Sequence, residues 1–322
     1  MIGDDRGGPI VSLARSTIAL GVRWLGVAPI VRAIHKRKVA ILVYHNPPAD
    51  LFERHLAYLA KHYTFLTLDN LVDALHENRW ASIPDGAVVI TLDDGLRGNA
   101  SLLPALSRHG VKPTIYICTQ IVCTDRRFWF LSVPDPEPLK RMDQAERLEQ
   151  LDRAYNFSPT RSSKEPQALT FEQFRALGEH VDYGSHTRFH PILPTCDDGE
   201  SEIEITKSKL ELEDMTGEAC HHFSYPNGDY TDRDVELVKQ AGYASARTMD
   251  FGWNDETTDP FRLKAIHIRD DASVTRLVAD LAGVAGYVRV LRLRLTKSLR
   301  RRSSEPSTLS HGEAPVGAAS RE

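Results

Sequence analysis

The sequence predicts an α/β fold built on a parallel sheet or barrel, and three observations carry that reading. Strand-like and helix-like segments alternate from residue 39 to residue 246. The chemically loaded motifs each follow a strand-like run directly: Asp93 and Asp94 follow residues 87–92, and His186 follows residues 181–184. The chain has 322 residues, 41% hydrophobic and 26% charged, enough to bury one large core or two small ones.

Residues 39–44 form a continuous apolar run, which marks a strand covered on both faces. Residues 52–62 then place Phe52, Leu56 and Leu59 on one helical stripe. The next unit is a short strand at 65–68, with Asp69 as the expected N-cap of a helix reaching about residue 79. A strand at 87–92, a helix over about 99–109 and a strand at 114–118 follow. From 124 to 168 the pattern gives way to Pro- and charge-rich sequence, read as an insertion over one face with a short helix near 144–155.

Alternation resumes at Thr170-Phe-Glu-Gln173, which has capping-box spacing ahead of a helix. A short strand at 181–184 comes next, then a charged helix at 201–215 closed by Gly217. A strand at 223–225, a helix at 232–240 and a strand at 243–246 continue the series. In repeated βα units the chemistry gathers at the C-terminal ends of the strands.

The formal net charge of −4 is unevenly spread: residues 6–49 carry seven Lys/Arg and no acid, and residues 289–302 carry another seven with none. An acidic body between basic ends argues against nucleic-acid binding and directs the ends toward an anionic membrane surface. Arg15, Arg23 and Arg32 interrupt the apolar stretch 10–34, so it falls short of the roughly 20 apolar residues a spanning helix needs. Its polar stripe of Ser12, Arg15, Ser16, Arg23 and Gly26 gives it the pattern of an interfacial amphipathic helix, or of a helix packed on the domain.

The expected organisation is therefore a basic extension at 1–37, a barrel at 38–275, and a basic helix with a disordered tail at 276–322. Cys118, Cys123, Cys196 and Cys220 form neither a C-x-x-C pair nor a disulfide framework, and the acidic start lacks a secretory pattern. Cytoplasmic residence, peripheral at the inner membrane surface, is the expectation; oligomeric state is open.

Asp94, His186 and His190 offer one carboxylate and two imidazoles to a divalent ion, leaving Asp93 free to take a proton. Cys220, His221 and His222 are successive residues that alternate sides of a strand, so they do not converge on a second ion. No P-loop or G-x-G-x-x-G marks a nucleotide site.

Thr91-Leu-Asp-Asp-Gly95 and His186-Thr-Arg-Phe-His190 resemble the first two motifs of the NodB-type polysaccharide deacetylases, carbohydrate esterase family 4. The resemblance extends over roughly residues 38–271 and includes Phe223-Ser-Tyr-Pro-Asn-Gly228 and Asp259-Pro-Phe-Arg-Leu263. It implies an irregular (β/α) barrel of about seven strands. It also implies a divalent metal on Asp94, His186 and His190, usually zinc, with cobalt, nickel, manganese or iron as alternatives, and Asp93 as general base. For the general acid it points to a late histidine, and His267 stands nearest; His45, at the end of the first strand, competes for that role, and the third alternative is that both make only structural hydrogen bonds. Tyr225, Pro226 and Asn227 take the substrate-binding positions, and Asp250 and Trp253 stand where a fourth motif lines the groove, with a core Trp253 as the equal alternative.

One departure matters: many members carry Arg-x-Pro, whose Arg orients the base, where this chain has Ser224-Tyr-Pro226. The function the resemblance implies is hydrolysis of N-acetyl groups from GlcNAc-type sugars in an oligosaccharide, glycolipid or exopolysaccharide. The alternatives are a metal-dependent amide hydrolase on a non-sugar compound and a catalytically impaired barrel that serves as a binding module.

Overall fold

A computed structural model describes residues 27–283. The amphipathic stretch ahead of Val27, the basic segment at 289–302 and the tail after Ser303 lie outside the described residues. Helix α1 (Val27–Ile34) precedes a barrel formed by β1 (Ala40–Tyr44), β3 (Ala87–Leu92), β4 (Thr114–Ile117), β5 (Asp182–Ser185), β6 (His222–Ser224), β7 (Ser245–Phe251) and β8 (Leu263–His267). Every neighbouring pair is parallel, and β1 closes the ring by pairing with both β8 and β3. The two-residue strand β2 (Thr64–Phe65) lies beside the start of β3.

The crossovers are α2 (Ala49–His62), α3 (Leu68–His76), α4 (Leu103–His109), α6 (Phe171–Gly178), α7 (Asp198–Thr216) and α8 (Asp232–Gln240), with α9 (Val274–Leu281) after β8. Helix α5 (Gln144–Tyr155) belongs to the insertion. Alternate residues of β1 and β3 enter two separate apolar clusters. Leu42, Tyr44, Ile90 and Leu92 pack with Phe52 and Leu56 of α2, whereas Val39, Ile41 and Val89 pack with Leu68, Leu71 and Val72 of α3. Period-two alternation thus sends one face to the outer helices and the other into the barrel, whose N-terminal end α3 closes.

Local chemistry explains several departures from the sequence reading. Thr67, not Asp69, caps α3 by accepting from Asn70 N at 3.3 Å, because Asp69 instead bonds His222 Nε2 at 2.8 Å. A 3₁₀ segment, Arg97–Leu102, replaces the start of the expected helix at 99, and α4 begins where Pro104 fits a first helical turn. Strand β7 runs on to Phe251, and β8 is a strand the sequence reading left unassigned. Helix α9 crosses the expected boundary at 275 and buries Leu277 and Leu281 in the main core.

The capping box at Thr170 and Gln173 is formed, and Gly217 closes α7 in the left-handed conformation. The insertion packs as part of the molecule, with Phe128, Trp129, Leu139, Leu151 and Phe157 joining the main core. All four cysteines are free thiols. Among the described residues no helix is long and apolar enough to cross a membrane.

Candidate metal centre and active site

Strand β3 ends at Leu92, and the chain then turns through two left-handed residues, Asp94 at φ 71° and Gly95 at φ 67°. Only glycine fits the second position, since a Cβ there would meet Ile117 Cγ2 at 2.8 Å and Val122 Cγ2 at 2.9 Å. The turn leaves both carboxylates buried at the open end of the barrel, with Asp93 4% and Asp94 2% exposed. His186 follows β5 directly, and the loop to His190 passes through left-handed Thr187 (φ 67°) and His190 (φ 59°).

Such a loop needs bracing, and α7 supplies it. Glu204 Oε2 accepts from Arg188 N at 2.8 Å and Phe189 N at 3.1 Å, while Glu211 pairs with the Arg188 side chain at 2.8 Å and accepts from Thr119 Oγ1 at 2.5 Å. Burial pushes Glu204 up to about 7, against the pull of these two amides.

The ligand atoms offered by Asp94, His186 and His190 lie within 4.8 Å of one another. Asp94 Oδ1 stands 3.3 Å from His190 Nε2 and 3.6 Å from His186 Nε2. His186 donates its Nδ1 proton to the Ser224 carbonyl at 2.8 Å, which fixes the tautomer and leaves a bare lone pair on Nε2. Two lone-pair atoms therefore face each other in a dry site, and Asp94 Oδ1 has no hydrogen-bond partner. A cation held among these atoms resolves that conflict, so the residues fit a divalent metal.

The electrostatics agree. Burial, reinforced by the Asp93 charge, raises Asp94 to about 7, and burial lowers both His186 and His190 below the ordinary histidine range. For Asp93, burial works upward, but Arg247, His186 and His45 outweigh it and hold its carboxyl below the usual range. Arg247 Nη2 donates to Asp93 Oδ2 at 2.5 Å, whereas Asp93 Oδ1 is buried without a partner. The sequence reading missed Arg247. Its one signal was a lone cation inside a run of small residues, Ala244-Ser-Ala-Arg-Thr248, where a buried charge demands a carboxylate.

His45, Asp93, Asp94, His186, His190, Asn227, Gly228 and Met249 line a cavity that the insertion walls with Trp129, Phe130 and Lys140. Trp129 Nε1 donates to the His190 carbonyl at 2.9 Å, and the Phe130 ring lies 4.7 Å from the His190 ring. Of the two acid candidates, His45 reaches the cavity, while the His267 ring stands 5.5 Å from the His45 ring. Burial lowers His45, with Asp93 pulling the other way.

Tyr225 does not line the cavity. It is fully buried, donates its hydroxyl to the Phe261 carbonyl at 3.2 Å and stacks on Tyr230 at 4.9 Å. Pro226 is buried beside it, and Asn227, at φ 58°, is the residue of that trio that lines the cavity. Trp253 stacks on His35 at 3.8 Å and borders a cavity at the opposite end of the barrel, beside Ala40 and Ala87, so Met249 of β7 takes the place expected of it. Asp250 accepts from Tyr230 at 2.8 Å, away from the cavity lining.

A family model described as polysaccharide deacetylase matches residues 81–246. The chain is 23% identical over 226 residues to the putative polysaccharide deacetylase YxkH of Bacillus subtilis (strain 168), an alignment covering 67% of this chain and 66%, just under two thirds, of that protein. The Streptococcus pyogenes deacetylase PplD, solved in complex with acetate, superposes with a TM-score of 0.57 at 19% identity, covering 76% of this chain and 98% of that one. IcaB from Ammonifex degensii gives a TM-score of 0.57 at 16% identity, covering 76% and 97%. At these identities the structures establish the shared fold. Both motifs that converge on the cavity fall inside the matched span, and this chain belongs to the polysaccharide deacetylase family.

Proposed function

We propose that the protein hydrolyses N-acetyl groups of a GlcNAc-type sugar in an oligosaccharide, glycolipid or exopolysaccharide, releasing acetate with the help of one divalent metal, zinc by preference. The observation that carries this is the convergence of Asp94, His186 and His190 beside an ionised Asp93 with one free oxygen. A cation bound there would supply Lewis acidity, acidifying water and polarising the amide carbonyl.

The rest is the work of the chain. Asp93 Oδ1 is the acceptor for the proton of attacking water, and it stays ionised because Arg247 occupies Oδ2. His186 is held in its binding tautomer by the Ser224 carbonyl. Trp129 and Phe130 cover His190 and exclude water from that side, which strengthens every charge interaction within. The departing amine needs a proton, and we take His45 on the cavity wall as its donor, with His267 behind; burial keeps the His45 ring neutral at rest, so it must gain that proton during turnover before giving it up.

The test is acetate release from a panel of N-acetylated glycans by zinc-loaded protein, together with N-acetylated non-sugar amides. Turnover on GlcNAc-containing substrates, lost in His186→Ala, is the expected result. Turnover on non-sugar amides alone would replace the glycan reading, and full activity in chelated His186→Ala would remove the metal site. Within this mechanism His45→Ala lowers turnover by about 10²–10⁴, the usual worth of a positioned acid, and His267→Ala by less.

A further inference from the structure

Ser224 and Arg247 are register partners on the adjacent parallel strands β6 and β7. Their side chains therefore stand side by side on one face of the barrel wall. Arg247 is fully buried, and its Nη2 donates both to Asp93 Oδ2 and to Ser224 Oγ, each at 2.5 Å. Its Nη1 donates to the Thr248 carbonyl at 3.1 Å and approaches Met249 Sδ at 3.0 Å, and the guanidinium lies over the Tyr116 ring at 5.3 Å. Five partners hold this cation in one place, while its Nε is buried without one.

We infer that Arg247 is the positioning residue for Asp93, a guanidinium carried on β7 whose place is made by the small Ser224 on β6. The inference rests on the deacetylase reading for its effect on turnover. Paired through Oδ2, Asp93 is held in one orientation on the cavity wall, with Oδ1 left without a partner. Ser224 contributes by being small enough to leave room for the guanidinium and by accepting one of its protons. The two positions therefore form one device that admits a single arginine. A second guanidinium at 224 would set two like charges in the same dry volume, with one carboxylate between them.

Lysine cannot replace Arg247, because its single ammonium cannot reach Asp93, Ser224 and the Thr248 carbonyl together. Arg247 makes no hydrogen bond to the three proposed metal ligands and reaches His186 and Asp94 only through its charge, so its removal acts first on the base.

The experiment is a cycle of Arg247→Ala, Arg247→Lys, Ser224→Arg and the double variant Ser224→Arg/Arg247→Ser. It reads kcat and KM for acetate release from GlcNAc oligomers, zinc affinity, and thermal unfolding of the zinc-free protein. Arg247→Ala is expected to lower kcat by roughly 100-fold or more, the scale seen for one lost preorganised charge interaction, with KM and zinc affinity within about threefold. Millimolar guanidinium ion is expected to restore part of that kcat, which a merely structural role would not allow. Ser224→Arg alone is expected to lower both unfolding temperature and kcat, and adding Arg247→Ser to recover part of each.

Wild-type kcat in Arg247→Ala, or a Ser224→Arg protein indifferent to residue 247, would overturn the inference. Should the wild type release no acetate from any glycan, the deacetylase reading fails separately. The unfolding temperatures of the cycle still decide whether 224 and 247 share one cation site.

Discussion

The two ends of the barrel hold the same kinds of residues in opposite states. At the closed end His222 donates and accepts with Ser245 Oγ at 2.9 Å and Asp69 Oδ1 at 2.8 Å, so both ring nitrogens are satisfied. The neighbouring cations there are also paired, Lys38 with Asp255 at 2.8 Å and Lys36 with Asp85 at 3.6 Å. At the open end Asp93 Oδ1, Asp94 Oδ1 and His190 Nδ1 are buried without partners. Serine, histidine and aspartate in a row thus make a strut at one end, since Ser245 is fully buried and bonded. At the other end, unspent polar atoms around a cavity make a site.

The largest effect separates the ends outright. Asp94→Asn, His186→Ala and His190→Ala should each lower zinc affinity by roughly 100-fold or more in equilibrium dialysis, beyond what losing a supporting group costs. His222→Ala should leave zinc affinity and turnover intact and cost about 1–3 kcal/mol of stability in urea unfolding, because Ser245 loses its buried partner. Zinc binding lost in His222→Ala would collapse the contrast.

A smaller effect tests the brace. Glu204→Leu should lower zinc affinity by about 10-fold while Glu204→Gln keeps most of it, because an amide oxygen still accepts from Arg188 and Phe189. Equal affinity in the leucine and glutamine variants would show that the loop holds itself.

The pH dependence is the most graded effect. Asp94 is raised from 3.8 to about 7, so between those values the folded zinc-free protein keeps a proton that the unfolded chain has released. This group's favourable contribution to stability is therefore present at low pH and lost as pH rises through about 7. A metal must displace the same proton, so zinc affinity should fall about tenfold per pH unit below that point and flatten above it. The same sign makes Asp94→Asn raise the unfolding temperature of zinc-free protein at pH 8, measurable by calorimetry.

Much of the scaffold was legible because apolar period and turn chemistry agree locally. The strand at 87–92, the helices at 144–155 and 232–240 and the Thr170 capping box stand where the sequence reading put them. β8 was missed because Lys264 interrupts a short run, and β7 was cut short because Arg247, Thr248 and Asp250 look like a loop. The same blindness hid the site's cation, for sequence spacing cannot say that 247 lies beside 224 across a strand pair. The three proposed metal ligands, whose ligand atoms converge, were singled out in the sequence because Asp94 and His186 each follow a strand-like run. Tyr225 does not line the cavity and Trp253 takes the core placement of its two readings, because burial depends on what the neighbouring elements leave open.

The central claim is that the open end holds one divalent ion on Asp94, His186 and His190 and turns it to amide hydrolysis. Its most direct test is elemental analysis of the purified protein paired with acetate release before chelation, after chelation and after zinc is restored. The expected result is one ion per chain in the wild type and none in His186→Ala, with acetate release lost on chelation and recovered with zinc. Acetate release that survives chelation, or a full metal complement in His186→Ala, would contradict it.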